Sequence, residues 1–333
     1  MHITNSLPAV AHGGNIGAAR QRFPQAPLPF LDLSTGIAPR SYPMPPLPPE
    51  SFTRLPEPAS HAALCRLAAL RYGVPPGARI VAAPGTQILL PMLAALCPPG
   101  TARILGPTYA EHARAAALAG HDTREVETLD ALTPATLVTV VNPDNPTGRF
   151  LDAPTLRVLA AAQSAAGGLL VVDEAFHDAT PELPSALPLV PGGAVVVLRS
   201  FGKFHGLAGV RLGFAVVADA MAERLEALLG PWAVAGPALL AGLAALADDA
   251  WAEGQRAYLR QSAARLDGVL AVGGLLVLGG TPLFRFVQAP PSTHARLGRA
   301  GILVREFPHW PDRLRVGLPP NDSGFARLAG ALA

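Results

Sequence analysis

The sequence at residues 200–211, SFGKFHGLAGVR, contains Lys203, the only lysine in a chain of 333 residues. Lysine and arginine together number 26, so the other 25 of these cations are arginines. Arginine is effectively always protonated, whereas a buried lysine amine can lose its proton and act as a nucleophile. A single lysine therefore indicates a task that needs a primary amine, such as forming an imine with a carbonyl compound.

The surroundings of Lys203 indicate a ligand that carries both a carbonyl group and a phosphate. Residues 194–198, AVVVL, form a β-branched run typical of a buried strand, and the lysine follows shortly after it. The Ser200 hydroxyl and the Arg211 guanidinium suit a phosphate, and the glycines of the segment allow close backbone approach. Pyridoxal phosphate needs this combination, so we predict it as the cofactor. A solvated surface lysine is the alternative.

Working outward from Lys203, short apolar runs alternate with helical patterns. This alternation predicts an α/β fold with a mostly parallel sheet and helices on both faces. The predicted strands cover residues 80–83, 103–105, 137–141, 168–172, 194–198 and 213–217. The predicted helices between them cover residues 59–72, 88–96, 110–119 and 153–166.

Polar side chains follow the ends of several predicted strands, and ligands of such sheets bind beyond the carboxyl ends of the strands. We predict that Asp173 contacts the pyridine nitrogen of the cofactor and keeps it protonated. Because the apolar run LLVV precedes Asp173, an unpaired carboxylate would be costly there and a cationic partner is expected. Asn145 is predicted to donate to the phenolic oxygen of the ring, and Tyr109 to stack on its face. A helix cap, a turn and an ordinary core position are the respective alternatives.

A glycine turn before the apolar helix at 88–96 is predicted to bind the cofactor phosphate. A turn that opens a helix presents free N–H groups at the positive end of the helix dipole. The residues assigned to the phosphate are Gly85, Thr86, Gln87, Ser200 and Arg211.

The remaining sequence predicts an N-terminal arm and a second domain. Residues 1–58 are rich in proline and weakly periodic, residues 59–230 form the predicted cofactor-binding domain, and residues 231–333 a connecting helix and a smaller α+β domain. The predicted strands of the smaller domain cover 274–278, 283–287, 302–305 and 314–318, and helices cover 221–229, 237–265, 292–300 and 322–332. Arg315 lies on the last of these strands, where it could clamp a substrate carboxylate or remain solvated.

Composition excludes several other classes of function. The net charge is +2 and only 15% of residues are charged, so no basic surface for nucleic acid is indicated. Cys65 and Cys97 are too few for a disulfide framework and lack metal-ligand spacing. No signal peptide or membrane span is indicated, so we expect a cytoplasmic protein without a metal.

Four motifs in order, NPDNPTG, VVDEAF, SFGKFHGLAGVRLG and RVGLP, resemble those of fold-type-I pyridoxal-phosphate enzymes, the class I/II aminotransferase superfamily. Within it, HGGN at 12–15, DLSTGIAP at 32–39 and DEAF resemble the threonine-phosphate decarboxylase family of cobalamin biosynthesis. The resemblance implies a homodimer and assigns Lys203, Asp173 and Tyr109 to catalysis. It also implies Arg315 as the carboxylate anchor. The other substrate contacts that we assign are His12, Gly13, Gly14, Asn15, Gly36 and Asn145.

The activity implied is decarboxylation of L-threonine O-3-phosphate to (R)-1-amino-2-propanol O-phosphate. The alternatives are an aminotransferase of the histidinol-phosphate type and a catalytically idle ligand sensor, which intact Lys203 and Asp173 disfavour. The sequence departs from the family pattern at two positions. Phe176 replaces a tyrosine common after DEA, and Leu55 replaces a tyrosine that in relatives reaches the partner subunit's cofactor phosphate.

Overall fold

The structure is a computed structural model that describes residue 10 and residues 12–333. Its strands are β1 (Leu31–Leu33), β2 (Arg79–Ala83), β3 (Thr101–Leu105), β4 (Asp122–Val126), β5 (Leu137–Val141), β6 (Leu169–Asp173), β7 (Val195–Ser200), β8 (Gly213–Val217), β9 (Leu276–Thr281), β10 (Phe284–Gln288), β11 (Ile302–Phe307) and β12 (Trp310–Gly317). Its α-helices are α1 (Ile16–Arg22), α2 (Glu50–Thr53), α3 (Pro58–Tyr72), α4 (Leu89–Leu96), α5 (Glu111–Leu118), α6 (Ala153–Ala166), α7 (Phe201–Phe204), α8 (Asp219–Leu229), α9 (Gly236–Leu246), α10 (Asp249–Val272), α11 (Thr293–Arg299) and α12 (Asp322–Leu332). None of these helices is long and apolar enough to cross a membrane.

The larger sheet has seven strands in the order β2-β8-β7-β6-β5-β3-β4, and all run parallel except β8. Helices α3, α6 and α9 pack on one face, and α4, α5 and α8 pack on the other. Because both faces are covered, β5 and β6 are buried at every residue and read as continuous apolar runs. The predicted α/β fold with a mostly parallel sheet is confirmed.

The reversed strand β8 brings a second set of residues to the ligand edge of this sheet. Gly213 begins β8 and pairs with Ser200 at the end of β7 and with Ala83 at the end of β2. Arg211 lies two residues before Gly213, so it reaches the edge where the parallel strands end. Its position before a strand, and not after one, is a consequence of this reversal.

The smaller sheet has the order β1-β11-β12-β10-β9, and its first strand comes from the N-terminal arm. β1 runs parallel to β11, with Leu31 opposite Ile302 and Leu33 opposite Val304. The arm therefore forms an edge of the second sheet, a strand that the weak periodicity of residues 1–58 did not predict. Helices α10, α11 and α12 pack on this sheet around the core of this part of the chain.

The single helix predicted over residues 237–265 is wrong, because the chain forms two helices there. Helix α9 ends at Leu246, and the side chain of Asp248 accepts a hydrogen bond of 2.9 Å from Trp251 N, which caps the start of α10. Helix α9 packs in the core of the larger sheet, whereas α10 packs in the core of the smaller one. The predicted domain divisions at residues 58 and 230 remain predictions.

Candidate active site

Lys203 lies in α7, one short helical turn after β7, at the ligand edge of the larger sheet. Its Nζ lies 5.8 Å from the centroid of the Phe176 ring. Burial, and next the Arg315 guanidinium, lower the pKa of Lys203 from 10.5 to about 8. The amine is therefore neutral, and nucleophilic, in a larger fraction of molecules near neutral pH than an exposed lysine would be.

Asp173 ends β6 as a buried carboxylate with two partners. Its Oδ2 lies 2.9 Å from Nε2 of His112, and its Oδ1 accepts a hydrogen bond of 3.0 Å from Ala175 N. His112, itself 5% exposed, lies within hydrogen-bond distance of the carboxylate, and the cationic partner expected for Asp173 remains a prediction.

The residues assigned to the cofactor phosphate converge on a small cradle. Gly85 has φ of +84°, and a β-carbon there would lie 2.5 Å from Nη2 of Arg211. A β-carbon on Gly213 would lie 2.6 Å from Thr86 N, and the backbone of Gly213 pairs with Ser200. The backbones of three segments thus approach one another beside a guanidinium group. This cradle fits a phosphate group.

Tyr109 belongs to a chain of hydrogen bonds along the wall of the site. Burial raises the pKa of Tyr109 to about 12, so its hydroxyl remains a donor, and it donates to Oε1 of Gln87 at 2.9 Å. Gln87 Nε2 donates in turn to Oε2 of Glu111 at 3.1 Å. The side chain of Gln87 is thus engaged in the wall, which leaves its backbone for the predicted phosphate contact. Glu111 was not among the predicted site residues.

Arg315 is buried on β12 and joins the two sheets. Its Nη2 donates to the carbonyl oxygen of Ser34 at 2.7 Å, and its Nη1 donates to Oδ1 of Asn145. Among the described residues, the buried Nε of Arg315 has no hydrogen-bond partner. With Oδ1 occupied, the amide nitrogen of Asn145 is the group left to donate to a ligand, as its predicted role requires.

A second arginine, which sequence reasoning did not select, faces Arg315 across the smaller sheet. Arg305 on β11 stands opposite Arg315 in the antiparallel register. Burial, and next Arg305, lower the pKa of Arg315 to about 10, so Arg315 stays protonated at neutral pH. Two facing guanidinium groups suit a ligand that carries negative charge.

The HGGN segment is seated on residues that follow β1. Gly14 N donates to Oγ of Ser34 at 2.7 Å, and that hydroxyl donates to Oδ1 of Asp32 at 2.6 Å. A β-carbon on Gly13 would overlap the carbonyl group of Ser34, whose oxygen accepts from Arg315. The arm therefore reaches the predicted carboxylate anchor through one residue.

The remaining predicted substrate contacts have structural partners of their own. The Asn15 side-chain oxygen caps α1 by accepting from Ala18 N at 2.9 Å, so only its amide nitrogen is left for a ligand. A β-carbon on Gly36 would lie 2.9 Å from the ring of Phe176, which in turn packs edge-on against Phe284 with centroids 5.2 Å apart. Phe176 thus contributes a buried ring to the site and no hydroxyl.

A cavity of about 400 Å³ lies behind the Lys203 segment, lined by Arg199, Phe204 and His205 among others. It contains none of the predicted site residues, so the candidate active site is the strand-end cluster and not this cavity. Within residue 10 and residues 12–333, no group of three His, Cys, Asp or Glu side chains could hold a metal ion.

Comparison with known proteins gives three similarities that bear on this site. A family model described as aminotransferase class I and II matches residues 48–332. The threonine-phosphate decarboxylase of a Sinorhizobium species is 43% identical over 328 residues, which cover 97% of this chain and 98% of that relative. The histidinol-phosphate aminotransferase of Paramagnetospirillum magneticum is 36% identical over 188 residues, which cover 53% of this chain and 52% of that relative.

The fold is also that of a solved aminotransferase. The crystal structure of histidinol-phosphate aminotransferase from Sinorhizobium meliloti, in complex with pyridoxal-5'-phosphate, superimposes with a TM-score of 0.78 at 24% identity. The similarity covers 98% of this chain and 94% of that one. At this identity the comparison shows the shared fold alone, so the choice between reactions depends on the site and on the similarity along the whole sequence.

Proposed function

The chain belongs to the class I and II aminotransferase family, and we propose that it decarboxylates L-threonine O-3-phosphate to (R)-1-amino-2-propanol O-phosphate with pyridoxal phosphate as cofactor. The observation that carries the proposal is the seating of the HGGN segment on Ser34, which also accepts a hydrogen bond from Arg315. A site with a cationic anchor and a glycine-rich backbone loop side by side suits a substrate with two anionic ends. The full-length similarity to a threonine-phosphate decarboxylase agrees with it.

The residues of the site fit pyridoxal phosphate. Lys203 would hold its aldehyde carbon, Asp173 its ring nitrogen, and Arg211 its phosphate, together with Ser200 and the backbone of residues 85–87. Tyr109 would cover one face of the ring. When bound, the cofactor supplies an electron sink for the pair released as a bond to the substrate's α-carbon breaks.

The protein's own contribution to the reaction is orientation and proton transfer. The bond that breaks is the one held perpendicular to the cofactor ring, so the groups that hold the two ends of the substrate select the reaction. We assign the carboxylate end to Arg315, and the phosphate end to the HGGN segment with Arg305. After carbon dioxide leaves, the α-carbon takes up a proton, and Nζ of Lys203, with a pKa of about 8, is suited to carry it.

The pathway, assembly and compartment belong to the proposal as well. By the family resemblance, the reaction supplies the aminopropanol arm of cobalamin, and the enzyme is a cytoplasmic homodimer with sites at the subunit interface. Phe52 in α2 and Leu55 just after it are 68% and 64% exposed in the single chain, as large apolar residues at a subunit contact would be. No nucleic acid or membrane partner is proposed.

Transamination of histidinol phosphate is the second candidate, because histidinol-phosphate aminotransferases are partly similar to this chain. Lys203, Asp173, Asn145 and Arg211 would serve either reaction, so they do not discriminate. The two candidates differ in their need for a keto acid as the second substrate.

The test is to supply purified protein with pyridoxal phosphate and L-threonine O-3-phosphate, with no keto acid, and to measure carbon dioxide. The proposal predicts many turnovers per active site. If product forms only when 2-oxoglutarate is added, and carbon dioxide is absent, the aminotransferase replaces it. A parallel assay with histidinol phosphate and 2-oxoglutarate measures the second activity directly.

A further inference from the structure

We propose that Glu111 is a positioning residue that fixes the N-terminal arm over the active site and thereby selects phosphorylated substrates. It would act through His12, the first residue of the HGGN segment. The inference rests on the proposed function, because it assigns the substrate's phosphate to that segment.

Glu111 is a buried carboxylate at the start of α5, with partners from three parts of the chain. Its Oε1 lies 2.9 Å from Nε2 of His12, which is 99 residues away in sequence. Its Oε2 accepts from Gln87 Nε2 at 3.1 Å and lies 3.7 Å from Nη1 of Arg114. The side chain of Glu111 is 7% exposed, whereas that of His12 is 47% exposed, so a buried acid holds a half-exposed histidine at the surface of the site.

Burying a carboxylate at this position costs free energy unless strong partners compensate the charge, so its presence here suggests a function. The N-terminus of α5 favours negative charge and repays a part of that cost. Since a carboxylate oxygen only accepts, the proton of this hydrogen bond belongs to Nε2 of His12. The imidazole is thus held by one edge, and Nδ1 is the ring atom left for a ligand.

The hydrogen bond to Glu111 complements the anchor on the other side of the arm. Gly14 is hydrogen-bonded to Ser34, just after β1 of the smaller sheet, and His12 to Glu111 in α5, which packs on the larger sheet. The arm therefore bridges the two sheets beside Tyr109, whose ring centroid lies 6.0 Å from that of His12. Losing the Glu111 contact would free the His12 end while the Ser34 end stays bound.

The test is a double-mutant cycle with Glu111→Gln, His12→Ala and both together. For each variant, kcat and KM are measured with L-threonine O-3-phosphate and with unphosphorylated L-threonine. We expect Glu111→Gln to raise KM for the phosphorylated substrate about tenfold or more, as for loss of a charged hydrogen bond, with kcat changed less than about threefold. The preference for the phosphorylated substrate should fall by the same factor. The double variant should be no worse than His12→Ala, because Glu111 acts through His12.

Glu127→Gln, an exposed acid in the same region of sequence, is the matched control and should leave the preference unaltered. The proposal is overturned if the effects of Glu111→Gln and His12→Ala multiply independently, or if Glu111→Gln instead weakens cofactor binding and affects both substrates equally. If the wild-type protein releases no carbon dioxide, the proposed function fails on its own. The same variants are then compared by how tightly they bind L-threonine O-3-phosphate and L-threonine, which is monitored through the absorbance of the cofactor.

Discussion

Nε2 of His112 lies 2.9 Å from Oδ2 of Asp173, and both side chains are buried. The hydrogen bond fixes the carboxylate at the end of β6, where we propose that it contacts the ring nitrogen of the cofactor. Because Oδ1 of Asp173 is held by Ala175 N, the orientation of the carboxylate is defined at both oxygens. His112 touches no atom that reacts, so we regard it as a positioning residue for Asp173.

Replacing either partner should lower kcat, and to different extents. Asp173→Asn would remove the carboxylate that we propose for the ring nitrogen of the cofactor, so we expect a loss of about 100-fold or more. His112→Phe keeps the ring volume but removes one hydrogen bond to a charged group, so about tenfold to 100-fold is expected. Steady-state decarboxylation with saturating cofactor provides the measurement. His121→Phe is the control, since His121 is equally buried but contacts the carbonyl oxygen of Ala94; an equal loss there would refute the assignment of His112.

The rate at which the apo-protein captures pyridoxal phosphate should rise with pH and reach half its maximum near pH 8. Below the lowered pKa of Lys203 the amine carries a proton and has no lone pair with which to attack; above it the amine is neutral. Stopped-flow absorbance measures the rate. In Arg315→Gln one cause of the lowered pKa is removed, so the midpoint should move to higher pH, whereas exposed Arg299→Gln should leave it in place. A midpoint above pH 10 in the wild type, as for a free lysine, would contradict this assignment.

Gly85→Ala should weaken cofactor binding far more than it destabilises the fold. The new methyl group would lie 2.5 Å from Nη2 of Arg211 and displace it from the phosphate cradle. Gly230→Ala is the matched control, because Gly230 has a similar backbone conformation, with φ of +68° and ψ of −178° against +84° and 158° for Gly85, and no atom within 4 Å of the added carbon. Both variants bear the backbone cost of this conformation, about 1–3 kcal/mol. Cofactor titration should show a dissociation constant at least about tenfold higher for Gly85→Ala and little changed for the control. Equal dissociation constants for the two variants would contradict the assignment of this cradle to the cofactor phosphate.

Glu174→Gln should destabilise the apo-protein by about 2 kcal/mol or more, as for loss of a buried hydrogen bond between charged groups. Glu174 lies beside Asp173 in sequence and forms a buried ion pair of 2.8 Å with Arg199, so its loss leaves Asp178, at 3.1 Å, as the acidic partner of a buried guanidinium. Chemical unfolding measures the change in free energy. Glu226→Gln breaks a pair of the same length with Arg79, but both of those side chains are at least 40% exposed, and less than about 1 kcal/mol is expected. Similar values for the two variants would argue against the buried pair as a major contribution.

The parallel core of the fold could be predicted because β5, β6 and β7 are buried on both faces and therefore have nearly continuous apolar sequences. It did not predict β4, whose residues DTREV lie at the sheet edge and carry no apolar alternation. The antiparallel direction of β8 could not be predicted from the local sequence pattern either, since strand direction depends on the connections between strands and not on composition. That reversal explains the position of Arg211 in the sequence.

The candidate site was predicted where a residue's chemistry is unusual for its surroundings, as with the single lysine and with Asp173 after an apolar strand. His112 and Glu111 were missed because they are neighbours in the first turn of α5, where polar side chains are usually solvated. Their burial depends on Asp173 and His12, which are 61 and 99 residues away. Long-range pairing of this kind leaves no local signal. The sequence did indicate that Asp173 needed a partner, but not which residue would supply it.

The proposed function depends on the amine of Lys203, and reductive labelling tests that role directly. The protein is loaded with pyridoxal phosphate, reduced with borohydride, digested, and the modified residue is identified by mass spectrometry. In the wild type we predict a single pyridoxyl group on Lys203. In Lys203→Ala we predict that both the pyridoxyl group and the absorbance of the bound cofactor are lost. Cofactor absorbance that persists in Lys203→Ala, or a pyridoxyl group attached only at the chain's N-terminal amine, would contradict the central claim.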